Sequence, residues 1–176
     1  MKPLLTGAAA LLVVAPAPAS AQEVFGGLAA HDVDTPLNKG GFEDGLAVQA
    51  GIRGGRIKAL KAIGAPSPYA FASLSTDGGT NFAAVGLSWK IGGRFYLRPG
   101  IGLAVHDRSS HVVYGNLRGD FGSRILFEPE LGLGFRIDER WSAEASWVHL
   151  SHGGLFNSRQ NPGMDNIGMR LNHRFR

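Results

Sequence analysis

Three features of the 176-residue sequence predict an all-β fold, an eight-stranded antiparallel transmembrane β-barrel. Apolar and polar residues alternate with period two, in runs nearer the ~9–11 residues of a barrel strand than the ~5–6 of a globular one. The strands so read are even in number, as in bacterial outer-membrane barrels. The N-terminus has the pattern of a secretory leader, which places the chain outside the cytoplasm.

The leader comes first. Lys2 supplies a positive start, LLTGAAALLVVA an apolar stretch and Ala19-Ser20-Ala21 a small-residue cleavage site. The stretch is short for a spanning helix and is broken by Pro16 and Pro18. The expected organisation is therefore a signal peptide over 1–21 and a barrel over 22–176, with Gln22 as the mature N-terminus. No other segment approaches the ~18 continuous apolar residues of a spanning helix.

A weak strand signal runs from Phe25 to Val33. In the next, Leu46, Val48, Ala50 and Ile52 alternate with Ala47, Gln49, Gly51 and Arg53. RGGRIKALKAIGAPSP then reads as an unusually long turn before a second weak strand, Tyr69 to Ser75. In the fourth, Ala83, Val85, Leu87, Trp89 and Ile91 oppose Phe82, Ala84, Gly86, Ser88 and Lys90, and Gly92-Gly93 supplies a hairpin turn. Phe95, Leu97, Pro99, Ile101, Leu103 and Val105 share the apolar face of the fifth. The sixth, RILFEPELGLGFRI, sets Ile125, Phe127, Leu131, Leu133 and Phe135 against Arg124, Glu128, Glu130 and Arg136. A tight Asp138-Glu139 turn leads to the seventh, Arg140 to Ser151, and Asp165 to Phe175 forms the eighth.

Charged and small residues share one face of every long strand. Facing water, they would demand a second apolar layer, as in a sandwich or lipocalin-like barrel. Facing inward, they leave the apolar faces for lipid, and closure removes the unpaired edge that no membrane tolerates. The second arrangement fits the strand lengths and the leader, and predicts a bacterial outer-membrane protein. Side chains fill an eight-stranded lumen; Arg98, Glu128, Glu130 and Arg136 are expected to form a polar plug. The longer loops, near 34–43, 106–120 and 152–164, all fall at one end, expected to be external. Trp89, Phe95, Phe135, Trp141 and Phe175 gather at the other, where an interfacial girdle belongs.

Composition narrows the function. The chain has no cysteine, so disulfides and thiol chemistry are excluded. The net charge of +4 is spread along the chain without a basic block, so a nucleic-acid partner is not expected. The stretch WVHLSHGGLFNSRQNPGMD carries the chemistry-bearing residues. By strand parity His149 and Ser151 lie on the outward face of one strand and Asp165 on that of its neighbour. A serine hydroxyl needs a base to become a nucleophile, an imidazole titrates near neutrality, and a carboxylate orients the imidazole. The bland reading is a polar strand end, with Asp165 merely opening a strand after Asn161-Pro162-Gly163.

These residues resemble the lipid A 3-O-deacylase (PagL-like) family. His149-Leu150-Ser151 with Gly154-Leu155, then Asn161-Pro162-Gly163-Met164-Asp165, is similar to its H-x-S-N-x-G and N-x-G-x-E elements. The resemblance implies an eight-stranded outer-membrane esterase that hydrolyses the 3-linked acyl ester of lipid A. It implies His149 as base, Ser151 as nucleophile, Asp165 as orienting acid and Asn161 in the oxyanion region. Backbone N–H groups near Gly153 and Gly154 would assist, and the flank with Trp147, Ile167 and Met169 would take the acyl chain. The implied partners are lipopolysaccharide and outer-membrane lipids; a homodimer is compatible with the sequence. This chemistry requires no inorganic cofactor, and a metal site from His149, His152 and Asp165 is not expected, since parity separates the two histidines. Three departures stand out: Asp165 replaces the family's glutamate, the intervening loop is about two residues longer, and His152 replaces asparagine. His152 and His173 are expected at a rim and an interface. The alternatives are a non-enzymatic structural or adhesive barrel and an esterase for another lipid.

Overall fold

A computed structural model describes residues 21–38, 42–108, 121–155 and 161–175. The expected leader, apart from Ala21, and parts of all three long loops lie outside the described residues.

The strands are β1 (Ala21–Ala30), β2 (Leu46–Gly54), β3 (Ser67–Ser75), β4 (Phe82–Ser88), β5 (Ile91–Gly92), β6 (Phe95–His106), β7 (Ile125–Arg136), β8 (Trp141–Leu150) and β9 (Met164–Arg174). Every pairing is antiparallel, β1 pairs with both β2 and β9, and β4 pairs with β6, so the sheet closes on itself. β4 and β5 form one interrupted strand along β6, which makes the barrel eight-stranded. Proline causes the interruption. Trp89 faces Pro99, and its N–H reaches the Pro99 carbonyl at 2.9 Å. Pro99 has no N–H to return, so the ladder loses its reciprocal bond. The register is the same on both sides of the gap.

Two expectations shift. The first strand spans Ala21–Ala30 rather than Phe25 to Val33, because Asp32 adopts a left-handed conformation (φ 48°) that ends the ladder. The Gly92-Gly93 turn moves on by one residue: Gly92 still pairs with Tyr96, and Gly93 N–H bonds the Phe95 carbonyl. The long turn after β2 contains a short 3-10 segment, Lys58–Ile63, closed by Gly64 at φ 91°. Trp89 Nε1 pins it through the Ile63 carbonyl at 2.7 Å.

The burial pattern is inside-out. Ile101, Leu103, Leu131, Leu133, Ile167 and Met169 are exposed, whereas Arg53, Arg98, Glu128, Glu144 and Arg170 are buried. The aromatics Phe95, Trp141 and Phe175 are exposed at the short-turn end, and His173 packs between Trp141 and Phe175. The lumen has two halves. Phe25, Tyr69, Phe71, Phe82, Leu126, Val148, Leu150 and Met164 form an apolar cluster. Towards the short turns an ionic network takes over. Arg53 pairs with Glu23 (2.9 Å) and Glu144 (3.3 Å), Arg98 with Glu144 (2.9 Å) and Glu23 (3.0 Å), and Arg170 with Glu130 (2.7 Å).

The plug is therefore real, but two of its expected members differ. Glu128 accepts a short hydrogen bond from the Tyr69 hydroxyl. Arg136 is exposed, because it ends β7 at the rim, beyond the depth of the network.

Candidate active site

β8 and β9 bring His149, Asp165 and Trp147 together; Ser151 follows the end of β8 and Asn161 precedes β9. In their register His149 stands directly opposite Asp165, and Trp147 opposite Ile167. Directly opposed side chains start ~5 Å apart, so a short aspartate spans the gap. His149 Nδ1 lies 2.9 Å from Asp165 Oδ1. The Trp147 indole N–H donates to the same oxygen at 2.8 Å, and its ring stacks beside the imidazole at 6.0 Å. Asp165 is fully buried and His149 is 8% exposed, although the face they share is the lipid face further along both strands.

Ser151 keeps the strand parity. Its N–H and carbonyl form a two-bond clasp with Phe127 of β7, at 3.1 and 2.7 Å. That bridge continues the β7–β8 register, so Ser151 and His149 remain on one face. Between them the ladder has a gap: Pro129 faces His149 and has no N–H to offer it. Ser151 is half-buried.

The chain then turns. Leu155 N–H bonds the His152 carbonyl at 3.0 Å, with Gly153 and Gly154 at φ 61° and 76°. Positive φ at both central positions is the type I′ requirement. Asn161 accepts the His152 N–H through its carboxamide oxygen at 3.1 Å, which ties the two motif elements together. The His152 side chain, expected at a rim, is completely buried, as its inward parity dictates. Gly163 has φ 73°, and a Cβ there would stand 3.2 Å from His149 Cε1.

Sequence reasoning missed the loop after β1. From the Asp32 turn the chain folds over β9. Val33 N–H donates to the Asp165 carbonyl (2.7 Å), and the Thr35 hydroxyl donates to Asp165 Oδ2 (2.5 Å). Asn38 braces this clamp: its Nδ2 donates to the Val33 carbonyl, and its Oδ1 accepts the Thr35 N–H. Burial pushes the Asp32 carboxyl above its ordinary pKa, against the pull of N–H bonds from Glu43 and Phe42. The signal available in the sequence was Thr35-Pro36-Leu37-Asn38, a hydroxyl and an amide three residues apart that favour a side-chain-stabilised turn.

A carboxylate that accepts a proton-bearing Nδ1 leaves Nε2 as the imidazole's acceptor. The arrangement can therefore receive a proton from a neighbouring hydroxyl.

An antiparallel barrel closed on itself, apolar outside and ionic within, is an integral outer-membrane β-barrel. Residues 43–174 match the family model described as lipid A 3-O-deacylase (PagL), and the chain belongs to that family. The fold is shared with a solved structure described as the outer membrane enzyme PagL. The identity is 16%, the TM-score 0.57, and the match covers 85% of this chain and 97% of the other. No curated protein sequence matches significantly. Family and fold support lipid A 3-O-deacylation, and neither favours a purely structural or adhesive barrel.

Proposed function

We propose that the chain is an esterase of the outer leaflet that removes the 3-linked acyl chain of lipid A with a Ser151–His149–Asp165 relay. The observation that carries the reading is the His149–Asp165 contact on the barrel's outward face. Ser151 Oγ attacks the ester carbonyl while His149 Nε2 takes its proton. The tetrahedral intermediate collapses, the glucosamine 3-oxygen leaves with the proton from His149, and an acyl-serine remains. A water deprotonated by His149 attacks that ester and frees the fatty acid. Asp165 holds the imidazole and stabilises its protonated form. Asn161 and the backbone around Gly153 and Gly154 serve the oxyanion; one such donor is typically worth ~2.7–4 kcal/mol.

Two apolar flanks border the outward face that carries His149 and Ser151. Trp147, Ile167 and Met169 lie on one side. On the other, Val85, Ile101, Leu103 and Phe127 line an outward groove of about 340 Å³. Phe127 is the residue clasped to Ser151, so an acyl chain leaving the serine has a continuous apolar path. Before activity, export removes residues 1–21.

The test is mass spectrometry of lipid A from cells making wild-type, Ser151→Ala or His149→Asn protein. Wild type should convert lipid A to a species lacking one ester-linked chain. Each variant should leave it unconverted while still reaching the outer membrane. Deacylation by either purified variant at the wild-type rate would remove the relay.

A further inference from the structure

The barrel end remote from His149 holds a feature that the deacylation chemistry does not use. A cavity of about 200 Å³ opens there, lined by Arg53, Arg56, Lys90, Arg98, Arg136 and Arg174 with a single carboxylate, Glu23. Glu23 is already shared between Arg53 and Arg98. Those two arginines form the floor and are further matched by Glu144.

Arg56, Lys90, Arg136 and Arg174 make no ion pair among the described residues. Arg56 is held in place by the Gly64 and Ala65 carbonyls, and Lys90 lies over the Tyr96 ring at 3.8 Å. A smaller adjoining cleft adds Asp138, Glu139 and Arg140. Asp138 spends one oxygen on the Arg140 and Trp141 N–H groups, and the three together add only one net negative charge. The mouth thus keeps a positive surplus around a space large enough for several waters or one phosphate-sized anion. Like charges converging on a low-dielectric wall repel one another, and an anion relieves that repulsion. Guanidinium and ammonium groups lining one cavity suit a tetrahedral phosphoryl group, which accepts from more than one side.

We propose that this mouth is a binding site for a phosphate-class anion, separate from the deacylation site. The ligand is either a free phosphate or the headgroup of a phospholipid in the adjacent leaflet. Binding would be followed by backbone amide shifts of the ¹⁵N-labelled full chain in zwitterionic micelles. One arm adds inorganic phosphate and the other a short-chain phosphatidylglycerol, with sodium chloride at equal ionic strength as control. Saturable shifts at Gln22, Gly54, Gly92 and Arg174, with none at His149 or Asp165, are expected. Arg136→Gln/Arg174→Gln should weaken binding at least tenfold while its lipid A deacylation stays at the wild-type rate. A response to phosphate identifies the free anion; a response to the lipid arm alone identifies the headgroup. The proposal is overturned by no saturable shift in either arm, by equal shifts with chloride, or by unchanged binding in the double variant.

Discussion

Asp165 is one methylene shorter than the family's glutamate, yet it reaches His149 because the two are paired directly across β8 and β9. Its own position is set by donors on both oxygens: Trp147 and His149 on Oδ1, Thr35 on Oδ2. Thr35 does not touch the imidazole, so it is a positioning residue. Removing it leaves Oδ2 short of a partner and lets the carboxylate turn away from Nδ1. A hydrogen bond to a charged group is worth about 1.5–3 kcal/mol, and ~1.36 kcal/mol in a barrier is tenfold in rate. Thr35→Ala should lower kcat about tenfold and leave KM close to wild type, because the apolar flanks proposed to hold the acyl chain are untouched. Thr35→Ser keeps the hydroxyl and should restore most of the rate. A KM effect without a kcat effect, or no rescue by serine, would remove the positioning role.

At the scale of elements, a second cluster fastens the loops at the end that carries His149. Glu43 accepts from His31 Nε2 (2.7 Å), from the Thr80 hydroxyl (2.9 Å) and from the Thr80 N–H (2.5 Å), and it pairs with Arg108 (2.7 Å). Burial alone would raise the Glu43 pKa, but the bonds from His31 and Thr80 and the charge of Arg108 outweigh it and hold it below its ordinary 4.5. A depressed carboxylate contributes stability that is present above the unfolded-state pKa and is lost as pH falls through the lower folded value. The loops should therefore stay latched at neutral pH and loosen in acid, below the usual glutamate range. Asp32, raised by burial, titrates in the opposite sense, so the pH curve needs a control. Glu43→Gln should speed amide exchange at residues 42–45 and 78–81 at pH 7 and flatten its acid dependence. Unchanged exchange would show that the latch does not hold the loops. The sequence made the strands legible because alternation is local: β6 to β9 follow their apolar parity closely. It misplaced β1 because AQEVFGGLAA alternates weakly and its end is set by one left-handed residue. His149, Ser151 and Asp165 were readable from parity. Thr35 was not, since its contact with Asp165 joins segments 130 positions apart.

For the whole molecule, the decisive property is which face meets the solvent. A water-soluble barrel would bury its apolar parity; this one buries arginines and glutamates and exposes leucines and isoleucines. The buried ions are tolerable because they are mutually paired, since leaving one buried charge without its partner costs ~3–5 kcal/mol. The exposed apolar band is tolerable only in hydrocarbon. Leu131 tests this directly. It is 43% exposed near the middle of β7, between Pro99 and Trp147 on the neighbouring strands. A charged side chain on the lipid face costs about 2–4 kcal/mol at the bilayer midplane and about 0–1 near the interface. Leu131→Arg should therefore lower unfolding free energy in phospholipid vesicles by the larger amount. Ile137→Arg, one residue beyond β7 at the short-turn rim and 52% exposed, should cost the smaller. Depth governs this contrast, since exposure is similar at the two sites and solvent contact alone would make them alike. Equal small costs would mean that the outer face does not lie in lipid, and the proposed sideways approach of lipid A to Ser151 from the membrane would fail with it.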